Sequence, residues 1–148
     1  MTKLEMRNSK LESANRNVAG PVLDFTDLQV WQLARQLRRL LYNLARNFPP
    51  EEKFVLSSQL RRAAISITAN IAEGFGRYYY QENIQFCRIA RGSVFEVRDH
   101  LITAQDQGYL TAEQRGDADA LCQRVIQTLN GYIRSTKARQ GDKRSSTD

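Results

Sequence analysis

Four arginines in one short segment, Arg35, Arg38, Arg39 and Arg46, offer the most chemistry in this chain. Each presents a planar fork that matches phosphate or carboxylate. Their spacing puts most of them on one side of a helix, opposite its apolar residues. Such a face can bind nucleic acid through its phosphates, releasing counterions without reading sequence; the same residues would also suit a solvated bundle surface. Arg77 followed by Tyr78, Tyr79 and Tyr80 interleaves charge with aromatics. Groups of that kind stack single-stranded bases, or else pack around the neighbouring glycines. Lys137 and Arg139 carry the positive charge on toward the end of the chain.

The carboxylates point elsewhere. Glu73 and Glu96 could be drawn as an acid/base pair, but carboxylates bonded to arginine are the commoner arrangement. Arg62 and Glu73 lie eleven positions apart, about 16 Å along a helix at 1.5 Å per residue. They cannot pair within that helix. They could pair across a rotated subunit interface, with Ser66, Asn70 and Glu96 beside them; a solvated face or an in-chain partner such as Glu96 is the other option. No P-loop, no Gly-x-Ser-x-Gly and no metal-spaced histidine cluster occurs. His100 stands alone, and Cys87 and Cys122 fall on apolar stripes as small hydrophobes rather than as a disulfide. The expectation is therefore a non-enzyme, with no cofactor and no metal.

The elements that must position these residues read as helices. A chain of 148 residues with 41% hydrophobic and 26% charged content is sized for one domain. Its net charge is +6, and arginine supplies 17 of the 22 basic residues. That balance favours an anionic partner. No apolar leader is visible at the N-terminus and no stretch reaches the length of a membrane span, so a cytoplasmic protein is expected. Residues 1–23 read as a flexible arm, 24–136 as the folded body and 137–148 as a disordered basic tail.

Within the body, Thr26 and Gln29 match a capping box opening a first helix. Its apolar face is Trp31, Ala34, Leu37, Leu41, Leu44 and Phe48, and Pro49 and Pro50 end it. A central helix from Phe54 to Arg77 carries Leu56, Leu60, Ala63, Ile67 and Ile71. Gly74 and Gly76 are expected to stop it in a left-handed turn. A third helix, about Gln81–Gln107, presents Ile84, Cys87, Ala90, Val94, Val97, Leu101 and Ala104. Gly92 and Ser93 are expected to admit a close neighbour there. Gly108 is a good terminator, and Thr111 with Gln114 forms a second capping box for a fourth helix. Four such helices with short connections predict an antiparallel up-down-up-down bundle.

The segments SQLRRAAISITANIAEGFGR from Ser58 and GSVFEVRDHLITAQDQGYL from Gly92 resemble a known family, as do DLQVWQLARQL and NFPPEEKF. It is the four-helix-bundle family encoded in intervening sequences of bacterial 23S rRNA genes. The resemblance runs roughly from Asp24 to Leu110. It implies a homopentameric ring with a basic surface. A related branch, the accessory proteins of diversity-generating retroelements, implies nucleic-acid binding, RNA more than duplex DNA, beside a reverse transcriptase. Two positions depart from the family pattern: Thr68 stands where proline is common, and Tyr78–Tyr80 stand where a Ser or Thr cap usually precedes the third helix. The reading is thus a non-catalytic, oligomeric, sequence-indifferent nucleic-acid-binding protein, the alternative being a protein scaffold that docks a reverse transcriptase.

Overall fold

The computed structural model describes residues 20–145, with side chains through residue 142. Most of the expected N-terminal arm lies outside the described residues. Four helices follow: α1 (Gln29–Arg46), α2 (Leu56–Phe75), α3 (Tyr80–Asp106) and α4 (Ala112–Ser145). No strand occurs among the described residues. Among the described residues each helix packs on its chain neighbour and α1 closes against α4, while the diagonal pairs stay further apart. With connections this short, that adjacency is the up-down-up-down four-helix bundle.

The opening of α1 differs from expectation. Phe25–Asp27 form a 3-10 turn, and the Asp27 carboxylate accepts from the backbone N–H groups of Leu23 and Asp24, both at 3.0 Å. The Thr26 hydroxyl does not cap the helix; it donates to Asp24 at 3.3 Å. Gln29 becomes the first residue of the helix rather than part of a box. The buried face of α1 is Val30, Leu33, Ala34, Leu37, Leu41 and Ala45. Trp31 sits at its rim, edge-on to Phe25 at 5.3 Å.

Pro50–Glu52 make a second 3-10 turn, and Glu52 Oε2 caps α2 by accepting from Leu56 N–H at 3.1 Å. The cap starts α2 two residues later than expected, leaving Phe54 and Val55 exposed. The glycines at its other end do not act as a left-handed stop: Gly76 has φ −75°. Gly74 is needed for closeness instead. A Cβ there would stand 2.8 Å from Phe86 Cβ and 2.9 Å from Asn83 Oδ1. Gly92, by contrast, has nothing within 4 Å of its would-be Cβ. The approach expected there is made by Ser93, whose hydroxyl meets that of Ser66 at 2.8 Å.

The whole predicted stripe of α3 is buried. Its N-cap residue, Tyr79, makes no side-chain capping bond. It ends as expected, with Gly108 at φ 78° and Tyr109 N–H bonded to Ala104 O at 2.9 Å. The Thr111–Gln114 box forms in both directions, at 2.9 and 3.1 Å. The fourth helix continues through Ser145, where a disordered tail from residue 137 was expected. Nothing between Arg134 and Ser145 breaks a helix except Gly141. Thr136 is buried, and Gln140 accepts from Gln81 at 2.8 Å, so this stretch is held against the start of α3.

Polar bonds register the seams. Arg98 pairs with Asp119 at 2.7 Å, Arg91 with Asn130 at 2.8 Å and Asn83 with Tyr132 at 3.0 Å, all between α3 and α4. Burial would raise the Asp119 pKa, but hydrogen bonds from Arg98 and Gln123, with the charges of Arg98 and Arg115, hold it below the usual carboxylate value. Cys87 and Cys122 are free thiols in the core. Burial pushes them to about 11 and about 12. No described helix is long and apolar enough to cross a membrane.

Candidate nucleic-acid interface

Helix α1 has no acidic residue, and from Leu28 to Ala72 the only carboxylates are Glu51 and Glu52 at the α1–α2 junction. The outer faces of α1 and α2 are therefore positive by composition. Arg35, Arg39, Tyr42 and Arg46 recur at spacings of four, three and four, so they form one row along α1. The lower part of that row opens into a groove of about 490 Å³ lined by Arg38, Arg39, Tyr42, Asn43, Arg46 and Ile65. None of these is acidic.

Several of the guanidinium groups are held in place. Arg38 donates to Thr68 Oγ1 at 2.9 Å, and Thr68 in turn donates to the Ile65 carbonyl. Thr68 thus supplies an acceptor for a groove arginine. Arg46 donates to Asn43 Oδ1 at 3.1 Å. Arg61, on α2, lies over the Tyr42 ring at 5.7 Å, and Arg35 over Trp31 at 5.8 Å. Arg39 is exposed and has no side-chain partner among the described residues. Positioned, unneutralised guanidinium groups around a concave surface suit an anion with repeated phosphates.

The seven predicted nucleic-acid residues divide. Arg38, Arg39 and Arg46 come together, and Arg35 extends their row. Arg77 does not join them: it pairs with Glu73 at 3.0 Å and stacks on Phe86 at 4.9 Å, at the far end of α2. Beside it Tyr78 and Tyr79 form an exposed edge-to-face pair. Lys137 and Arg139 are exposed on the last turns of α4, next to Gln140 and its bond to α3. Arg61, Tyr42 and Ile65 were missed. The signal for Tyr42 was its place in the arginine row; that for Arg61 needs the α1–α2 pairing.

The five predicted interface residues also divide. Ser66 bonds Ser93, and Asn70 donates to the Ser66 carbonyl and hydroxyl at 2.8 and 3.0 Å. Both are half-buried beside α3 within one chain. Glu73 is engaged by Arg77, and Glu96 by His100 at 3.2 Å. Arg62 is exposed, with neither Glu96 nor any other side-chain partner among the described residues.

The fold and its arginine groove define a four-helix bundle with one basic face. The family model described as "23S rRNA-intervening sequence protein" matches residues 26–131, and the chain belongs to that family. A solved structure from Bacteroides thetaiotaomicron, a protein of unknown function from the S23 ribosomal protein family, is similar at TM-score 0.65 and 26% identity. The match covers 70% of this chain and 97% of that one. No curated protein matches.

Proposed function

We propose that this chain is a non-catalytic nucleic-acid-binding accessory protein of the bacterial cytoplasm, holding RNA or an RNA–DNA intermediate through phosphate contacts with little regard to sequence. The observation that carries this is the groove lined by Arg38, Arg39 and Arg46 without a carboxylate. Membership in a family named for 23S rRNA intervening sequences supports an RNA setting. The test is fluorescence anisotropy on labelled single-stranded RNA across a salt series. Log affinity should fall linearly with log salt, by about 0.7 per phosphate contact. Changing Arg35, Arg39 and Arg46 to glutamine removes up to three contacts and should flatten the slope by about 2. Arg38 is better spared, because it also serves Thr68. A parent protein that fails to bind at low salt, or a triple variant with the parent's slope, overturns the proposal.

A second reading rests on a separate observation. Phe95 and Ile102, seven residues apart and so on one flank of α3, are each about half exposed, at 51% and 49%. An exposed apolar pair of that kind suits protein contact. Its proposed occupant is a second copy, as in the pentameric ring that the family resemblance implies, with Arg62 on α2 proposed to meet that copy as well. A reverse transcriptase is the alternative partner. Sedimentation equilibrium tests the first, and co-purification with the enzyme the second.

A further inference from the structure

The groove contains more than phosphate binding needs. An anion site is complete with guanidinium groups; it has no use for an aromatic ring or an exposed isoleucine. Yet Tyr42 lies in the middle of the arginine row and lines the groove, and Ile65 lines it with 47% of its surface exposed. The Tyr42 ring already carries one flat partner, the Arg61 guanidinium at 5.7 Å. A nucleobase is flat, polarisable and apolar on its faces, so it can add to such a stack. Asn43 is oriented as well: its Oδ1 accepts from Arg46, which leaves the amide NH₂ as a donor at the groove. The volume, about 490 Å³, falls within the range of about 300–1,000 Å³ typical of small-ligand clefts.

From this juxtaposition we infer that the groove seats one unpaired nucleotide of a single strand. Its base stacks on the Tyr42–Arg61 pair against Ile65, and its flanking phosphates lie on Arg39 and Arg46. This rests on the nucleic-acid reading above and adds what that reading lacks, a reason to prefer single strands over duplex. In a duplex each base is already stacked on both faces, so the ring has nothing to receive. The preference follows without any reading of base identity, since every base has a π-face. Because Arg38, Arg46 and Arg61 are held before binding, less conformational freedom is lost when the nucleotide is seated.

The test compares three labelled probes at one salt concentration: a single-stranded RNA oligomer, its blunt duplex, and an abasic sugar–phosphate strand of the same length. The parent should bind the base-bearing strand more tightly than the abasic one. Tyr42→Ala should shrink that ratio by roughly 5- to 100-fold, the value of one base–aromatic stack. Tyr42→Phe should restore it, since the ring and not the hydroxyl is used. Circular dichroism on both variants checks that the bundle is intact, and the phenylalanine variant decides the matter if the alanine variant is unstable. Equal binding of base-bearing and abasic strands by the parent overturns the inference while leaving the phosphate reading standing. So does a Tyr42→Ala variant that weakens both strands alike. Failure of the parent to bind any of the three probes overturns both.

Discussion

Gly74 and Gly116 look alike in the sequence, each a glycine inside a helical run, yet alanine should act on them with opposite sign. Gly116 is exposed in the second turn of α4, and nothing lies within 4 Å of where its Cβ would be. Alanine there removes only the entropic cost of glycine and should stabilise the fold by about 0.5–1 kcal/mol. Gly74 is buried next to the last residue of α2, so its propensity gain is at the low end of that range. Against it stand two contacts shorter than 3.0 Å, to Phe86 Cβ and Asn83 Oδ1, and a third at 3.1 Å to the Asn83 carbonyl. Phe86 Cβ and the carbonyl are fixed to the α3 backbone and cannot swing aside. Relief requires the end of α2 to move from the start of α3, which also strains the Asn83–Tyr132 bond and the Arg77 stack on Phe86.

Overpacking of this kind costs about 1–3 kcal/mol, so the net for Gly74→Ala is a loss of about 0.5–2.5 kcal/mol after the gain of about 0.5 from helix propensity. At about 2–4 °C per kcal/mol for a domain near this size, Tm should fall by about 1–10 °C. For Gly116→Ala it should rise by about 1–4 °C. Thermal and urea unfolding followed by circular dichroism measure both, at matched protein concentration and with the urea slope checked for change. A Gly74→Ala variant as stable as Gly116→Ala would refute the claim that Gly74 is there for helix approach. It would return Gly74 to the role of a dispensable terminator.

Asp119→Asn should cost about 1–2 kcal/mol at pH 7, because it removes the charge that the Arg98 hydrogen bond answers. Since the folded pKa of Asp119 is depressed, its contribution is present above the unfolded value near 3.9 and is lost as pH falls through the folded value; urea unfolding at pH 7 and pH 3 should show the variant's deficit shrinking in acid, and a constant deficit would contradict this. Sedimentation equilibrium at micromolar concentration should give a species several times 17.0 kDa, which Phe95→Glu should reduce to monomer without loss of helicity. A monomeric parent removes the ring.

The helices were legible because burial imposes a 3.6-residue period, and the residues that obey it are those the bundle hides. All seven members of the α3 stripe are buried where the spacing puts them, and so is Cys122 on α4. Ends were less legible, since they are decided by competition among local acceptors. Thr111 does cap its helix, its hydroxyl accepting from Gln114 N–H. At Thr26 the chain instead makes a turn closed by the Asp27 carboxylate, and the helix begins after it. The helix runs on past residue 137, where polar composition suggested disorder, and the Gln140–Gln81 bond there depends on α3, which no local pattern reports.

The same distinction separates the two sets of site residues. A row on one helix, such as Arg35, Arg39 and Arg46, follows from spacing alone, because residues three and four apart must share a face. What those arginines face across the groove is a property of two helices together. Arg61 reaches Tyr42, and Thr68 holds Arg38, only because α2 returns antiparallel beside α1. Part of the polar stripe expected at a subunit contact is used within the chain, which is the same reason read in reverse. Ser66 and Asn70 look like an available polar stripe while α2 is considered by itself, and they become a satisfied seam once Ser93 arrives from α3. Among the described residues, the polar surface still unpartnered after the four helices pair includes Arg39 and Arg62. Arg39 lies in the groove proposed for phosphate, and Arg62 is proposed to meet a second copy, so charge reversal at each should separate the two activities. Arg39→Glu should abolish RNA binding and leave sedimentation unchanged, and Arg62→Glu should do the opposite.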